Sequence, residues 1–138
     1  MDSLKGKNIV ITGASSGIGK ALSIEASKCG ANLVLASRKI DQLEAIKSEI
    51  SNPKLIILCV QTDITNQKEC ENLMQLANEK LGSIDILINN AGISMRSAFD
   101  EVDISVLEKV MKVNFWGTVY CSRAAVSYTH LTLPTRLS

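Results

Sequence analysis

The residues with the clearest chemical potential form a glycine-rich stretch near the N-terminus, TGASSGIG at 12–19. This stretch lies where a short apolar run ends and a segment with helical spacing begins. At such a turn the first N–H groups of a helix lack intrahelical partners, and the helix dipole adds partial positive charge at the same point. Glycines let an anion approach that backbone closely. The stretch therefore predicts a site for a diphosphate, and the alternative is a tight strand-to-helix connection without a ligand.

The spacing of the glycines narrows the kind of phosphate site. Gly13, Gly17 and Gly19 form a Gly-x3-Gly-x-Gly pattern, which differs from the GxGxxG spacing of the general dinucleotide fingerprint. No Lys-Ser or Lys-Thr pair follows the last glycine, so the loop that binds nucleoside triphosphates is excluded. The position of the turn between a strand and a helix, more than the spacing itself, favours a diphosphate as the ligand.

Alternating apolar patterns supply the elements that must position this turn. Runs that are continuously apolar or have period two predict strands, and runs with apolar residues at helical spacing predict helices. We expect strands at 8–12, 32–36, 55–60 and 84–88, and helices at 17–29, 39–50, 66–81 and about 103–126. Such alternation is typical of βαβ units joined by right-handed crossovers. The predicted fold is α/β, a doubly wound parallel sheet with helices on both sides.

Two of these helices carry specific expectations. The first is expected to bury Ile18, Leu22 and Ala26 on one side. The last is expected to be capped by Asp103 or Ser105. Its broad apolar face predicts that it lies against the sheet.

Two further motifs accompany the glycine-rich turn. NNAG at 89–92 follows the fourth predicted strand, and VNF at 113–115 lies within the last predicted helix. With TGxxxGIG, these motifs make the chain resemble the short-chain dehydrogenase/reductase family over residues 5–126. The resemblance implies a Rossmann-type fold, truncated after its fourth strand and the following helix. It also implies that the domain binds a nicotinamide dinucleotide and exchanges hydride with a small-molecule carbonyl or alcohol. A doubly wound domain whose glycines serve only the turn is the generic alternative.

The end of the second predicted strand, Ala36-Ser37-Arg38, bears on the choice of nicotinamide coenzyme. At this place a carboxylate binds the 2′-hydroxyl of the adenosine ribose, whereas a basic group accommodates a 2′-phosphate. No acid is present, and Ser37 and Arg38 can form hydrogen bonds to a phosphate. We therefore expect NADP(H) to be preferred, with NAD(H) as the alternative cofactor. The competing interpretation is that Arg38 is a solvated charge at the start of the next helix.

The resemblance also implies roles for single residues. Asp63 corresponds to the family aspartate that binds the adenine amino group, although it is also typical of a turn before a helix. Asn114 corresponds to the asparagine that organises a proton relay, or bonds the backbone of a neighbouring strand, and the two roles are compatible. We expect Asn114 to be buried among apolar neighbours. The predicted site comprises, for the cofactor, Gly13, Ser15, Ser16, Gly17, Ile18, Gly19, Ser37, Arg38, Asp63, Asn90 and Gly92, with Asn114 as the catalytic residue and no metal.

Part of the family's chemistry is missing from these residues. The resemblance calls for a Ser and a Tyr-x3-Lys pair, but Tyr128 is followed four positions later by Thr132. We therefore expect 1–126 to form the dinucleotide-binding half of a family member and 127–138 to be a non-native or disordered tail. This chain by itself is expected to be inactive. The alternative function is a non-catalytic dinucleotide-binding module.

Composition limits the partners. The 138 residues carry a net charge of +1 with no basic cluster, so we expect one globular domain and no nucleic-acid partner. No apolar run approaches the roughly 20 residues of a membrane helix, and no secretory leader is seen, so we expect no membrane partner and a cytoplasmic location. The four cysteines are far apart and are interpreted as reduced core residues. The parent protein is expected to be a homo-oligomer.

Overall fold

Parallel strands form the centre of the computed structural model, which describes residues 4–50, 52–93 and 100–128. The strand order is β3-β2-β1-β4. The strands are β1 (Asn8–Thr12), β2 (Asn32–Ser37), β3 (Ile57–Gln61) and β4 (Ile86–Ile88). The helices are α1 (Gly17–Lys28), α2 (Ile40–Glu49), α3 (Gln67–Leu81), α4 (Ile104–Met111) and α5 (Gly117–Val126), and a π-helical segment (Lys112–Trp116) joins the last two. The order and the parallel pairing confirm the predicted truncated Rossmann-type fold.

The central strands bury both faces. On β1, Ile9 and Ile11 pack into a core that includes Leu43 of α2. Val10 between them packs into a second core that includes Leu73 of α3 and Cys121 of α5. Successive side chains of a strand point to opposite faces, so a strand covered on both sides reads as a continuous apolar run. Burial on both faces therefore explains why apolar and polar residues do not alternate in 8–12.

The register of the sheet brings the four loops that follow the strands to one edge. Thr12 pairs with Ala36, and Ile11 pairs with Ile88, so β1, β2 and β4 end at nearly the same level. Ser37 pairs with Gln61 at the end of β3. In a parallel sheet of this kind, ligands bind in the crevice outside the carboxyl ends of the strands.

The second half of the chain departs from prediction. The expected single helix over about 103–126 is divided into α4, the π-helical segment and α5. Asp103 is its N-cap, with its carboxylate accepting a 2.9 Å hydrogen bond from the backbone N–H of Ser105. The expectation that this whole helix lies against the sheet holds only for its last part: α4 buries none of its residues, whereas α5 packs on α3 and places Cys121 in the same core as Val10 of β1. Met111 of α4 is 52% exposed.

Smaller differences have local causes. Strand β3 begins at Ile57 instead of 55, because a turn that includes Pro53 delays the extended backbone. Ile18 is 72% exposed, so its predicted burial is wrong: it lies in the first turn of α1, above the edge of the sheet. Of the four cysteines, Cys70 and Cys121 are buried as expected, whereas Cys29 and Cys59 are half-buried.

Two predictions concern membranes and the C-terminal tail. Within the described ranges, no helix has both the length and the apolar character needed to cross a bilayer. The predicted tail, 127–138, lies outside the described residues except for Ser127 and Tyr128. The carbonyl of Tyr128 accepts a 3.1 Å hydrogen bond from the N–H of Ile84, and its side chain packs against the core beside α5.

Candidate functional site

A cleft of about 540 Å³ opens at the carboxyl edge of the sheet. The loops after all four strands line it, together with residues of α4 and the π-helical segment. Nine of the predicted site residues lie in its wall: Gly13, Ser15, Ser16, Ile18, Ser37, Arg38, Asp63, Asn90 and Gly92. Gly17, Gly19 and Asn114 do not line it. One cleft therefore brings together residues that are up to about 80 positions apart in the chain, as expected for loops of a parallel sheet.

The three glycines of the first loop have different structural roles. Gly13 has a left-handed φ of +61°, and a Cβ added to it would lie 2.7 Å from the Cα of Ala91. A Cβ on Gly19 would meet the carbonyl oxygen of Gly13 and lie 2.5 Å from Nδ2 of Asn90. Gly17 has a φ of +56° but open space around it. Gly13 and Gly19 are thus required for close packing, whereas Gly17 is required for its backbone conformation.

The helix that follows this loop begins without a side-chain cap. Ser16 is the N-cap in extended conformation, its side chain accepts no capping hydrogen bond, and the first turn contains no acid. The N–H of Lys20 donates to the carbonyl of Ser16 at 3.2 Å. The preceding N–H groups, on Gly17, Ile18 and Gly19, have no carbonyl one turn earlier in the helix. The positive end of α1 is therefore available to an anion.

A buried hydroxyl joins the loop after β1 to the loop after β4. Oγ1 of Thr12, which is 1% exposed, accepts hydrogen bonds from the N–H groups of Asn90 and Ala91, both at 3.1 Å. The same hydroxyl lies 3.5 Å from the carbonyl of Ile88 as a donor. Nδ2 of Asn90 returns a bond of 3.0 Å to the carbonyl of Gly13. Asn90 thus serves the architecture of the cleft as well as lining it.

Asn114 is bonded to this edge from the other side. Its Oδ1 accepts from the N–H of Ile93 at 2.8 Å, and its Nδ2 donates to the carbonyl of Ile93 at 2.7 Å. Asn114 lies in the π-helical segment and is exposed, so its predicted burial is wrong. The segment turns it toward the loop after β4, away from the apolar side of the helix. The backbone-bonding role is present, with a loop as its partner in place of a strand. The catalytic role of Asn114 stays a prediction.

Hydroxyls and cations occupy the corner at the end of β2. The hydroxyl of Ser37 donates to Oγ of Ser15 at 2.9 Å and accepts from the N–H of Lys39 at 2.9 Å. The side chain of Arg38 is exposed and forms no salt bridge within the described ranges. Its carbonyl accepts a 3.3 Å bond from Gln61. The residues at the end of β2, Ser37, Arg38 and Lys39, thus offer hydrogen-bond donors, and none of them carries a carboxylate.

The turn after β3 fixes Asp63 as an ionised carboxylate. Its Oδ1 accepts from the hydroxyl of Thr65 at 2.7 Å and from the N–H of the same residue at 3.0 Å. These bonds, with the nearby charges of Arg38 and Lys112, lower the pKa of Asp63 against a smaller opposing effect of burial. Asp63 therefore has the second of its two predicted roles, that of a residue in the turn before a helix. The adenine contact that the resemblance implied stays a prediction.

Several residues of the cleft were missed by sequence reasoning. Lys39 stands beside Arg38 but was assigned no role, and Lys109 and Lys112 enter the wall from α4 and the π-helical segment. Their spacing of three places two lysines on one helical face, and this signal was available next to the VNF motif. In the described residues, no three His, Cys, Asp or Glu side chains are grouped closely enough to hold a metal ion.

Comparison with known proteins decides the family. The family model described as short chain dehydrogenase matches residues 7–131. The chain belongs to the short-chain dehydrogenase family.

Relatives of this short-chain dehydrogenase chain are named reductases and dehydrogenases. It is 42% identical over 129 residues to the 3-ketodihydrosphingosine reductase of Mus musculus, covering 90% of this chain and 39% of the mouse protein. It is 38% identical over 131 residues to 11-beta-hydroxysteroid dehydrogenase A of Sesamum indicum, covering 92% of this chain and 37% of the sesame protein. The chain thus spans well under half the length of these relatives.

Solved structures share this architecture. A short-chain dehydrogenase of Brucella melitensis, described as a glucose/ribitol dehydrogenase, is 28% identical with a TM-score of 0.87, over 91% of this chain and 53% of that one. A short chain dehydrogenase of Bacillus anthracis is 36% identical with a TM-score of 0.85, over 91% and 52%. The truncated sheet and its flanking helices therefore correspond to about half of these enzymes.

The Thr12 hydroxyl gives this short-chain dehydrogenase chain its first testable property. Thr12→Val leaves the N–H groups of Asn90 and Ala91 without an acceptor in a buried place, at a cost of about 1–3 kcal/mol for each unsatisfied group. We expect a lower free energy of unfolding, measured by urea denaturation. Thr12→Ser keeps the oxygen and is the matched control. A Ser variant as unstable as the Val variant would contradict the assignment.

The carboxylate of Asp63 gives a pH dependence. Because its pKa in the folded chain is below the usual 3.8, it contributes stability above that pH, and this contribution is lost as the pH falls through the folded-state value. Thr65→Val removes the hydroxyl donor and is expected to raise the pKa of Asp63, measured by NMR titration of its carboxyl. Wild type and variant should therefore differ most near neutral pH and converge in acid. Thr65→Ser should behave as wild type, and a Val variant with an unchanged pKa would refute the role of this bond.

Proposed function

We propose that this chain is the coenzyme-binding part of an oxidoreductase that transfers hydride between NADP(H) and a carbonyl or secondary alcohol. NADP(H) is the preferred coenzyme, and NAD(H) is a weaker alternative. The observation that carries the preference is the end of β2, where Ser37 bonds Ser15, Arg38 follows, and no Asp or Glu is present in 36–39. The carboxylate near Arg38 is that of Asp63, in the loop after β3. A negative side chain at the end of β2 would repel a ribose phosphate, whereas Ser15, Ser37 and Arg38 can donate to it.

The coenzyme fits the residues present. The uncapped start of α1 offers backbone N–H groups to the diphosphate, and the left-handed conformation of Gly17 keeps a side chain out of its approach. Ser37 and Arg38 are assigned to the 2′-phosphate and Asp63 to the adenine amino group. Asn90 and Gly92, on the loop after β4, are assigned to the nicotinamide ribose. The remaining assigned residues of the first loop are Gly13, Ser15, Ser16, Ile18 and Gly19.

The reaction itself divides between coenzyme and protein. When bound, the coenzyme supplies or accepts the hydride. The chain's own contribution is to bind and orient it, and Asn114 holds the loop after β4 through both polar groups of Ile93. In the proposed role Asn114 also supports a proton relay to the substrate oxygen. The names of the mouse and sesame relatives describe a ketone reduction and a hydroxysteroid dehydrogenation, which supports a carbonyl or secondary alcohol as the substrate class.

Assembly and location belong to the same proposal. We place the whole protein in the cytoplasm as a homo-oligomer that acts on small molecules. Both the location and the assembly stay predictions. Size-exclusion chromatography with light scattering would measure the oligomeric state.

Removal of the arginine should reduce the coenzyme preference. A charge-assisted hydrogen bond contributes about 1.5–3 kcal/mol, which corresponds to roughly 10- to 100-fold in affinity. Because Arg38 is exposed, we expect the lower end of this range. Isothermal titration calorimetry of Arg38→Gln should give about tenfold weaker NADPH binding and little change for NADH.

A remote lysine provides the control. Lys54 lies in the turn before β3, outside the cleft, so Lys54→Gln should leave both affinities unchanged. Equal affinity of the unaltered chain for NADPH and NADH, with no effect of Arg38→Gln, would contradict the proposed preference.

A second function is favoured by one observation. Tyr120 and Tyr128 are the two tyrosines, and the residues four positions later are Ala124 and Thr132 instead of lysine. A chain with this composition can bind the dinucleotide without the proton-transfer pair of the family. We therefore expect this 138-residue chain to bind NADPH without oxidising it in the presence of ketones, measured by absorbance at the reduced-nicotinamide band. Ketone-dependent loss of NADPH would instead show that other residues supply the proton.

A further inference from the structure

Positive side chains from separate elements line the cleft. Arg38 and Lys39 follow β2, and Lys109 and Lys112 come from α4 and the π-helical segment. Asp63 is the only carboxylate in the wall within the described residues. One carboxylate cannot balance four cations, so the cleft favours an anionic ligand.

The wall that carries Lys112 is held in place at two points. Two residues along the chain, Asn114 makes its paired hydrogen bonds to Ile93. Three residues further, Gly117 is buried so closely against Ile64 that an added Cβ would lie 2.9 Å from Cγ1 of that side chain. The backbone under Lys112 is thus tied to the loops after β4 and β3. Its position beside the cleft is a consequence of the fold.

Lys112 lies near Asp63, as Arg38 does, and both charges help to lower the pKa of that carboxyl. The hydrogen bonds on Oδ1 of Asp63 nevertheless come from Thr65. Lys112 takes part in no salt bridge within the described ranges. A lysine has a flexible stem and three donors, so it can reach a ligand phosphate from a wall several ångströms away.

We propose that Lys112 is a specificity-determining residue that binds the ribose phosphate of NADP(H) together with Arg38, from a separate element of the cleft wall. The inference rests on the proposed function, since it assigns that phosphate a second cation. An anion held between two cations from separate elements is discriminated better than one held at a single corner, because both interactions are lost when the phosphate is missing.

Two ligands that differ only in the phosphate test this assignment on the chain as it stands. They are 2′-phospho-ADP-ribose and ADP-ribose, and their binding is measured by isothermal titration calorimetry. We expect Lys112→Gln to weaken 2′-phospho-ADP-ribose about tenfold and ADP-ribose less than about twofold. Lys112→Arg keeps the charge and should retain most of the affinity. Lys80→Gln, at the end of α3 and outside the cleft, is the matched control and should change neither.

The possible results separate the two proposals. If Lys112→Gln weakens both ligands equally, or neither, the specificity role is wrong, while a phosphate preference that disappears in Arg38→Gln leaves the proposed function standing. If the unaltered chain binds both ligands equally or binds neither, the proposed coenzyme preference fails together with this inference.

Discussion

The buried hydroxyl of Thr12 is the interaction on which the cleft depends. It lies at the last residue of β1 and accepts the N–H groups of two consecutive residues in the loop after β4. That contact pulls the two loops so close that Gly13 cannot carry a side chain. The side-chain amide of Asn90 donates a hydrogen bond to the carbonyl of Gly13. A side chain on Gly19 would collide with both of these groups, so that position requires glycine as well. The glycine motif and the NNAG motif therefore pack against each other, and each restricts the residue types that the other can contain.

The π-helical segment solves a different geometric problem. A regular helix over 103–126 would carry Asn114 with its apolar neighbours, as sequence reasoning expected. The extra residue per turn in a π-helix shifts the side chains that follow it, and such segments are often found at functional sites. Here Asn114 lies in the segment and bonds Ile93, and Phe115 and Trp116 beside it are about half exposed. After the segment α5 packs on α3, while α4 before it buries none of its residues.

Sequence reasoning reached most of the fold because its signals are local. Continuous apolar runs predict strands covered on both faces, and helical spacing with a following glycine predicts helix ends such as Gly82, whose φ is +89°. The exposure of Ile18 could not be read in this way, since it depends on where the helix starts relative to the sheet edge. Lys109 and Lys112 were missed for a related reason. They reach the cleft only through contacts made by Asn114 and Gly117, and these contacts join parts of the chain that no local pattern connects.

The cations and hydroxyls of the cleft act on a ligand as a set. Each cation in its wall is exposed to water, where a single ion pair contributes little because solvent and salt screen it. Ser37 cannot add much alone either, since its hydroxyl already bonds Ser15 and accepts from Lys39. Discrimination for a phosphate must therefore come from several weak donors that converge on the ligand, in a wall where, within the described residues, Asp63 is the only carboxylate. A rigid frame is what makes such convergence effective, because groups fixed beforehand lose less entropy on binding. In this chain the Thr12 hydroxyl, the Asn114 amide and the close contact at Gly117 supply that frame.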